Sequence, residues 1–441
     1  MAVRIGMVSL GCPKNQVDAE ILLADLKKNG YELTTDSGNA DIVIINTCAF
    51  IESAKQESIE NILEFCDLKK EGKIKGIIIT GCLSERYRQQ VKKEIPEVDA
   101  VIGIGSNDKL IEAVKAVLDG QSFESYGEKE NLTLCGDRII ANLPFFAYVK
   151  IAEGCDNCCT YCAIPQIRGK FRSRTIENIV KEVQDLADKG ITEIILVAQD
   201  TTRYGEDLYG KSSLAELLQE LCKIEKIHWI RTLYNYPERI TDELIDTVAK
   251  EEKCVKYFDI PMQHCDGDVL KRMNRLGDKE RLKQLISKIR SKIPEVIIRS
   301  TFIAGFPGES EEQFEELCEF VKEMQFDRMG CFAYSREEDT PAADFDCQLD
   351  DDIKSRRADI INDEQMLIME RKNEALVGIT LEVVCEGFDR YAECYFGRSK
   401  NDAPDIDPKV FFMSDKKIMT GEYVKVKITQ SMDADLIGER I

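Results

Sequence analysis

Short, unbroken runs rich in Val and Ile recur along this chain with amphipathic stretches between them, and that alternation most narrows the folds open to it. In the first 120 residues the runs lie at 3–10, 41–46, 76–80 and 100–104. Helical spacing fills 17–29, which Gly30 closes, and 53–68. Buried strands that alternate with helices predict a parallel, doubly wound sheet. Residues 121–142 keep no strong period and read as a linker. From Pro144 the alternation restarts, with strands predicted at 146–152, 193–198, 229–234, 257–261, 296–302 and 328–334. Helices are predicted between them at 175–189, 213–223, 241–252 and 311–323. Six strand–helix units in about 200 residues predict a partial TIM-like barrel of the (β/α)6 kind, with chemistry at the C-terminal strand ends. A helical run at 353–374 leads to a tail whose strands, at 380–386, 391–397, 409–412 and 423–430, predict a small antiparallel β-barrel. The expected boundaries are 1–125 for the N-terminal domain, 126–142 for the linker, 143–374 for the barrel and 375–441 for the tail.

Composition then removes whole classes of function. The longest apolar runs fall far short of the roughly 20 residues a membrane helix needs, and residues 1–12 are too short and interrupted for a signal peptide. A cytoplasmic protein with no membrane partner is therefore expected. Seventeen cysteines stand against two histidines, His228 and His264. A large cytoplasmic chain does not keep so many thiols for disulfides, and with so little imidazole any metal site must lean on thiolate. That leaves iron–sulfur or cysteine-only zinc. The net charge of −21, from 81 acidic and 60 basic side chains, disfavours phosphate backbones and favours a basic macromolecular partner, although solubility alone would explain it.

Cys155, Cys159 and Cys162 form C-x3-C-x2-C just past the predicted end of the first barrel strand. Three thiolates on one tight loop can hold three irons of a 4Fe–4S cube and leave the fourth open to a ligand bearing an amine and a carboxylate. A tetrahedral zinc site would want a fourth protein ligand; Cys158 permits reading the run as two adjacent C-x2-C pairs, a spacing far shorter than zinc knuckles use. Cys12, Cys48 and Cys82 each directly follow a predicted strand of the N-terminal sheet. In a parallel sheet those positions share one edge, at the crevice where ligands bind. They suggest a second three-cysteine cluster, with Gly11, Thr47 and Gly81 small enough to let the backbone approach; the plainer reading is three buried thiols packing as small hydrophobes. Glu153, Gln199, Asp200 and Thr201 sit at predicted strand ends, Gly305-Phe306-Pro307-Gly308-Glu309 has the look of a ligand-cradling turn, and His264 reads as a hydrogen-bonding pocket residue.

A C-x3-C-x2-C on the first strand of a short parallel barrel resembles the radical S-adenosylmethionine superfamily. With Cys12, Cys48 and Cys82 upstream and a small β-barrel downstream, nearly the whole chain resembles a methylthiotransferase, a family with its own N-terminal domain, a radical barrel and a C-terminal TRAM domain. Ser-Leu-Gly-Cys-Pro-Lys-Asn at 9–15, Phe-Asp-Ile-Pro-Met-Gln-His at 258–264 and Ser-Arg-Glu-Glu-Asp-Thr-Pro-Ala at 335–342 are most similar to the branch that modifies an aspartate of ribosomal protein S-twelve of the small subunit. The resemblance implies two 4Fe–4S clusters. Cys155, Cys159 and Cys162 would bind the radical-generating one, whose open iron chelates S-adenosylmethionine. Cys12, Cys48 and Cys82 would bind an auxiliary one that carries the sulfur. It further implies hydrogen abstraction from the aspartate β-carbon by a 5′-deoxyadenosyl radical, methylation of the sulfur by a second S-adenosylmethionine to give S-adenosylhomocysteine, and a reducing electron donor. No catalytic side chain beyond the cluster ligands is implied. Tyr161 matches the family's aromatic beside the adenine, Gln199, Asp200 and Thr201 its second-strand motif, and Ser300, Gly305 and Pro307 lie where ribose and methionine contacts fall. Cys158 departs from the pattern, standing where the family usually carries a non-thiol.

Two other functions fit parts of the sequence. A methylthiotransferase acting on tRNA adenosine would want a basic, aromatic-laced tail, yet residues 375–441 carry 12 acidic and 9 basic side chains, which disfavours tRNA. A non-enzymatic iron–sulfur or zinc protein would need neither the barrel nor nucleoside-cradling turns.

Overall fold

Residues 3–441 are described by a computed structural model, in which the chain forms two compact units. One comprises the chain up to Ala141 with Lys150–Arg174 and Glu337–Ala343; the other comprises Asn142–Val149, Thr175–Arg336 and Asp344–Ile441.

The first unit opens with β1 (Arg4–Ser9), α1 (Pro13–Lys28), β2 (Glu32–Thr34), β3 (Ile42–Thr47) and α2 (Glu52–Lys70). It continues through β4 (Gly76–Gly81), α3 (Cys82–Tyr87), α4 (Gln89–Glu94), β5 (Ala100–Ile102), α5 (Leu110–Leu118) and β6 (Phe123–Ser125). The six strands pair in parallel in the order β2-β1-β3-β4-β5-β6. Successive side chains of a strand point to opposite faces, and here both faces are covered. Ile42, Ile44 and Ile78 pack with Leu22 and Leu26 of α1 and Val114 of α5. Val43, Ile45 and Ile79 pack with Ile62 and Phe65 of α2 and Leu83 of α3. This is the predicted doubly wound sheet, and it adds two three-residue edge strands; β6 falls within the stretch read as a linker.

The next elements are β7 (Phe146–Lys150), β8 (Ala152–Glu153), α6 (Ile164–Arg168) and β9 (Arg172–Ser173). The first barrel strand is therefore shorter than 146–152. Beyond it Ala152 and Glu153 pair antiparallel with Ser173 and Arg172, closing the loop 154–171 at its base.

The second unit alternates α7 (Ile176–Asp188), β10 (Glu193–Val197), α8 (Glu206–Tyr209), α9 (Leu214–Cys222), β11 (Trp229–Thr232), α10 (Asp242–Lys250) and β12 (Tyr257–Gln263). It goes on through α11 (Gly267–Arg272), α12 (Lys279–Lys292), β13 (Ile297–Ala304), α13 (Glu311–Met324), β14 (Arg328–Ala333) and the long α14 (Asp351–Glu374). Caps set the starts: the Thr175 and Thr241 hydroxyls accept from Asn178 and Leu244 N–H groups, and Ser310 with Gln313 forms a capping box. The six strands form two three-stranded arrays, β11-β10-β7 and β12-β13-β14. They meet where the Tyr234 and Asn235 N–H groups donate to Asp259, at 2.9 Å to its carboxylate and 2.8 Å to its carbonyl.

The tail is a closed barrel of β15 (Thr380–Asp389), β16 (Cys394–Ser399), β17 (Val410–Met413), β18 (Tyr423–Met432) and β19 (Asp435–Arg440), in the order β15-β16-β17-β19-β18. Val383, Phe412, Val426 and Leu436 fill it. It has a fifth strand beyond the four expected. The expectation of a purely antiparallel barrel needs one correction: β17 and β19 run parallel, because β19 returns from a hairpin with β18 to close the last gap.

Candidate active site

The N-terminal sheet reverses its strand order between β1 and β3, the place where parallel sheets open a crevice at their C-terminal edge. Cys12 follows β1, Cys48 directly follows β3, and Cys82 begins α3 at the end of β4. The registers Ser9 to Asn46 and Thr47 to Gly81 bring all three cysteines to that edge. Gly11 and Gly81 have φ of +91° and +96°. A Cβ on Gly11 would lie 2.7 Å from the Cys48 Cβ, and one on Gly81 would lie 2.5 Å from the Thr47 carbonyl oxygen. Only glycine allows loops this close. Side chains lock the loops: Asn15 Nδ2 donates to the Leu10 carbonyl at 2.7 Å, Ser58 Oγ to the Cys48 carbonyl at 2.9 Å, and Ser84 Oγ to the Gly81 carbonyl at 2.9 Å. Burial, with Cys82 and Cys12 beside it, pushes the Cys48 thiol up to about 12. Burial also raises Cys82, against the pull of the Arg168 guanidinium.

The second triad stands on the loop closed by β8 and β9. Gly154, at φ +76°, lets that loop fold back, since a Cβ there would lie 2.1 Å from the Lys170 carbonyl oxygen. Cys155 N–H donates to the Gly169 carbonyl at 3.1 Å and Cys162 N–H to the Cys159 carbonyl at 3.0 Å. The Ile164 N–H donates to Cys162 Sγ at 3.4 Å. Burial and then the neighbouring Cys159 and Cys155 raise the Cys162 thiol. Cys155 and Cys159 are buried, Cys162 and Tyr161 half-buried. Cys158 is exposed at φ +51° and, with Cys155, Arg88, Lys129 and Lys170, lines a cavity of about 580 Å³. The segment Glu337–Ala343 braces this loop: the Ala342 N–H donates to the Thr160 carbonyl at 2.9 Å, and Arg86 holds Glu337 at 2.8 Å.

A buried ion network joins the two triads. Arg168 Nη1 donates to Asp18 at 2.7 Å and Glu153 at 3.0 Å, while Nη2 donates to Asn15 Oδ1 at 3.1 Å and Cys82 Sγ at 3.4 Å. Lys150 Nζ donates to Glu153 at 2.8 Å and also to Asp18. Burial alone would raise the Glu153 carboxyl, but Lys150 and Arg168 overcome it and hold the group well below the usual carboxylate range. Glu153 was singled out from sequence; Asp18, Lys150 and Arg168 were not.

In the second unit the expected strand-end residues act as braces. Asp200 is fully buried and accepts from the Thr202 hydroxyl at 2.6 Å and Arg239 Nη1 at 3.0 Å. Thr201 Oγ1 donates to the Leu233 carbonyl at 2.8 Å and accepts from Asn235 Nδ2 at 2.8 Å. Gln199 precedes them, half-buried. Ser300 Oγ donates to the Ile260 carbonyl at 2.9 Å, tying β13 to β12. Gly305, at φ +73°, donates its N–H to both Glu309 oxygens at 3.0 Å, and Pro307 is buried inside that turn. His264 accepts the Asp266 N–H at 3.0 Å on Nδ1 and turns Nε2 towards Glu309 at 3.4 Å.

Residues 4–103 match Uncharacterized protein family UPF0004, residues 149–321 the Radical SAM superfamily, and residues 377–441 the TRAM domain. Over 439 residues the chain is 50% identical to the ribosomal protein uS12 methylthiotransferase RimO of Clostridium botulinum, covering 99% of this chain and 97% of the relative. It is 47% identical to the protein of that name in Clostridioides difficile, covering 99% and 98%. The chain belongs to the RimO family. The fold is also that of the radical S-adenosylmethionine methyltransferase TsrM from Kitasatospora setae, at a TM-score of 0.58 and 12% identity over 87% of this chain and 81% of that one.

The RimO family motifs picked out from sequence carry structural duties here. Asn15 of the first pins the Cys12 and Cys48 loops, Asp259 of the second joins the two barrel arrays, and in the third Ala342 holds the Cys155 loop while Glu337 accepts from Arg86. Among the described residues, no three His, Cys, Asp or Glu side chains converge on a single ion. A four-iron cube takes one thiolate per iron, so its cysteines need not meet at one point. Both triads offer soft thiol donors, and in each a glycine at positive φ, where a Cβ would collide, precedes a cysteine, so the residues present fit clusters of this kind.

Proposed function

We propose that this protein adds a methylthio group to the β-carbon of an aspartate in ribosomal protein uS12. The observation that carries this is identity of about half over essentially the full length with relatives that all bear the uS12 methylthiotransferase name. Cys155, Cys159 and Cys162 would hold one 4Fe–4S cluster and Cys12, Cys48 and Cys82 the other. When bound, the first supplies reductive cleavage of S-adenosylmethionine to a hydrogen-abstracting radical, and the second supplies the sulfur.

The chain's own residues have narrower tasks. Glycine-backed loops hold each triad in place, and buried Ile and Val strands underlie the loops of Cys12, Cys48 and Cys82. Tyr161 would stack on the adenine; Gln199, Asp200, Thr201, Ser300, Gly305 and Pro307 would line the nucleoside and methionine positions, chiefly by fixing strand ends. We assign 1–125 to the methylthiotransferase domain, 126–142 to a linker, 143–374 to the radical domain and 375–441 to the TRAM domain. A reducing partner and a cytoplasmic setting complete the reading.

The test compares masses of uS12 peptides and of tRNA nucleosides in cells with and without this gene. Loss of the methylthio increment on the aspartate peptide, with tRNA unchanged, is expected. Loss from a tRNA adenosine instead would move the substrate to RNA.

A further inference from the structure

Arg168 donates to a sulfur of one cysteine triad while sitting on the helix that follows the other. It is 1% exposed. It ends α6, whose first residue is two positions past Cys162. Its Nη1 edge is satisfied by Asp18 and Glu153, the latter two residues before Cys155. Its Nη2 edge points to Asn15 and to Cys82 Sγ. Asn15 and Asp18 both lie on the helix that Cys12 precedes. One guanidinium therefore touches or adjoins four of the six cysteine positions.

The charges around it are informative. Lys150 and Arg168 balance Asp18 and Glu153, so the quartet is neutral without any sulfur. A lysine in place of Arg168 could meet both carboxylates; only a planar fork also reaches Cys82. A buried donor and positive charge beside a ligating sulfur stabilises the more negative, reduced state of a cluster.

We infer that Arg168 is a positioning residue that fixes the cluster of Cys12, Cys48 and Cys82 against the loop of Cys155, Cys159 and Cys162 and makes that cluster easier to reduce. This rests on the two-cluster reading above. Its use in the reaction is direct. Were a carbon-centred radical to bond to a sulfur carried by that cluster, the cluster would have to take up the one electron released, and Arg168 would place a fixed positive charge beside it.

The experiment is a redox titration followed by electron paramagnetic resonance, on wild type, R168Q and R168K reconstituted without oxygen. Wild type should hold about eight irons per chain, two cubes' worth. In R168Q the potential of one cluster should move to more negative values while the other moves less. The ratio of methylthio product to 5′-deoxyadenosine should fall by roughly ten- to a hundredfold, as for other residues that orient metal ligands. R168K, which keeps charge but not the fork, should recover part of the potential and less of the product ratio. Two clusters with potentials and product ratio unmoved in R168Q would overturn the inference and leave the two-cluster reading standing. Should R168Q fail to hold iron, R168K decides by the same criterion. A wild type with a single cluster would defeat the two-cluster reading and the inference with it.

Discussion

Gly11, Gly81 and Gly154 each precede a cysteine and each has positive φ. At Gly81 the backbone sits at φ 96°, ψ −158°, a region essentially closed to other residues. Gly81→Ala is predicted to cost about 1–3 kcal/mol from backbone strain, and the collision with Thr47 should displace Cys82. Iron per chain should fall by half, with S-adenosylmethionine cleavage retained; iron analysis and a thermal melt check this. Cys158 makes a contrasting case. It is exposed while its neighbours Cys155 and Cys159 are buried, so Cys158→Ser should leave iron content and cleavage unchanged, a result readable by the same assays. The cysteines were legible because each follows a strand or stands in a tight local spacing. Arg168, Lys150 and Asp18 were not, since Asp18 meets partners more than 130 residues away and such pairings leave no local period.

Strand–helix alternation was legible where an element was long, carried a clear apolar face and was bounded by a glycine or a cap. What escaped was short or polar. The β8–β9 ribbon has two residues a side, β2 and β6 three each, and α12 is charged at half of its 14 positions with few apolar ones. The parallel closure of β17 on β19 depends on tertiary arrangement and has no signature in either strand. The turn after β13 shows how an element end is held. Both Glu309 oxygens accept from the Gly305 N–H, and one also accepts from Arg357 at 2.7 Å. Burial would raise its carboxyl, but His264, Gly305 and Arg357 together lower it below the ordinary 4.5. A carboxyl lowered on folding stabilises fully above its unfolded value, and the contribution is lost as pH falls through the folded one. Glu309→Gln should therefore cost about 1–3 kcal/mol at neutral pH, and the gap from wild type should close as the pH drops below 4.5. Denaturant melts across that range measure it; a constant gap would refute the assignment.

At the scale of the molecule, the loop that carries Cys155, Cys159 and Cys162 clusters with the N-terminal sheet that carries the other three cysteines. Sequence order separates these triads by more than 70 residues, so only the folded chain brings them into one unit. On the proposed reading, the net charge of −21 would favour encounter with a basic substrate protein. Raising salt from about 50 to about 300 mM should therefore raise KM for a basic ribosomal protein far more than it lowers kcat. No helix of the described residues is long and apolar enough to cross a membrane. The division of labour between the triads is the central claim, and one paired measurement tests it. Reduced, iron-loaded Cys155→Ala and Cys48→Ala proteins are incubated with S-adenosylmethionine and uS12 without oxygen, and 5′-deoxyadenosine and methylthio-uS12 are quantified together. Cys155→Ala should yield neither product, and Cys48→Ala should yield 5′-deoxyadenosine without the methylthio group. Equal loss of 5′-deoxyadenosine in both would contradict the account.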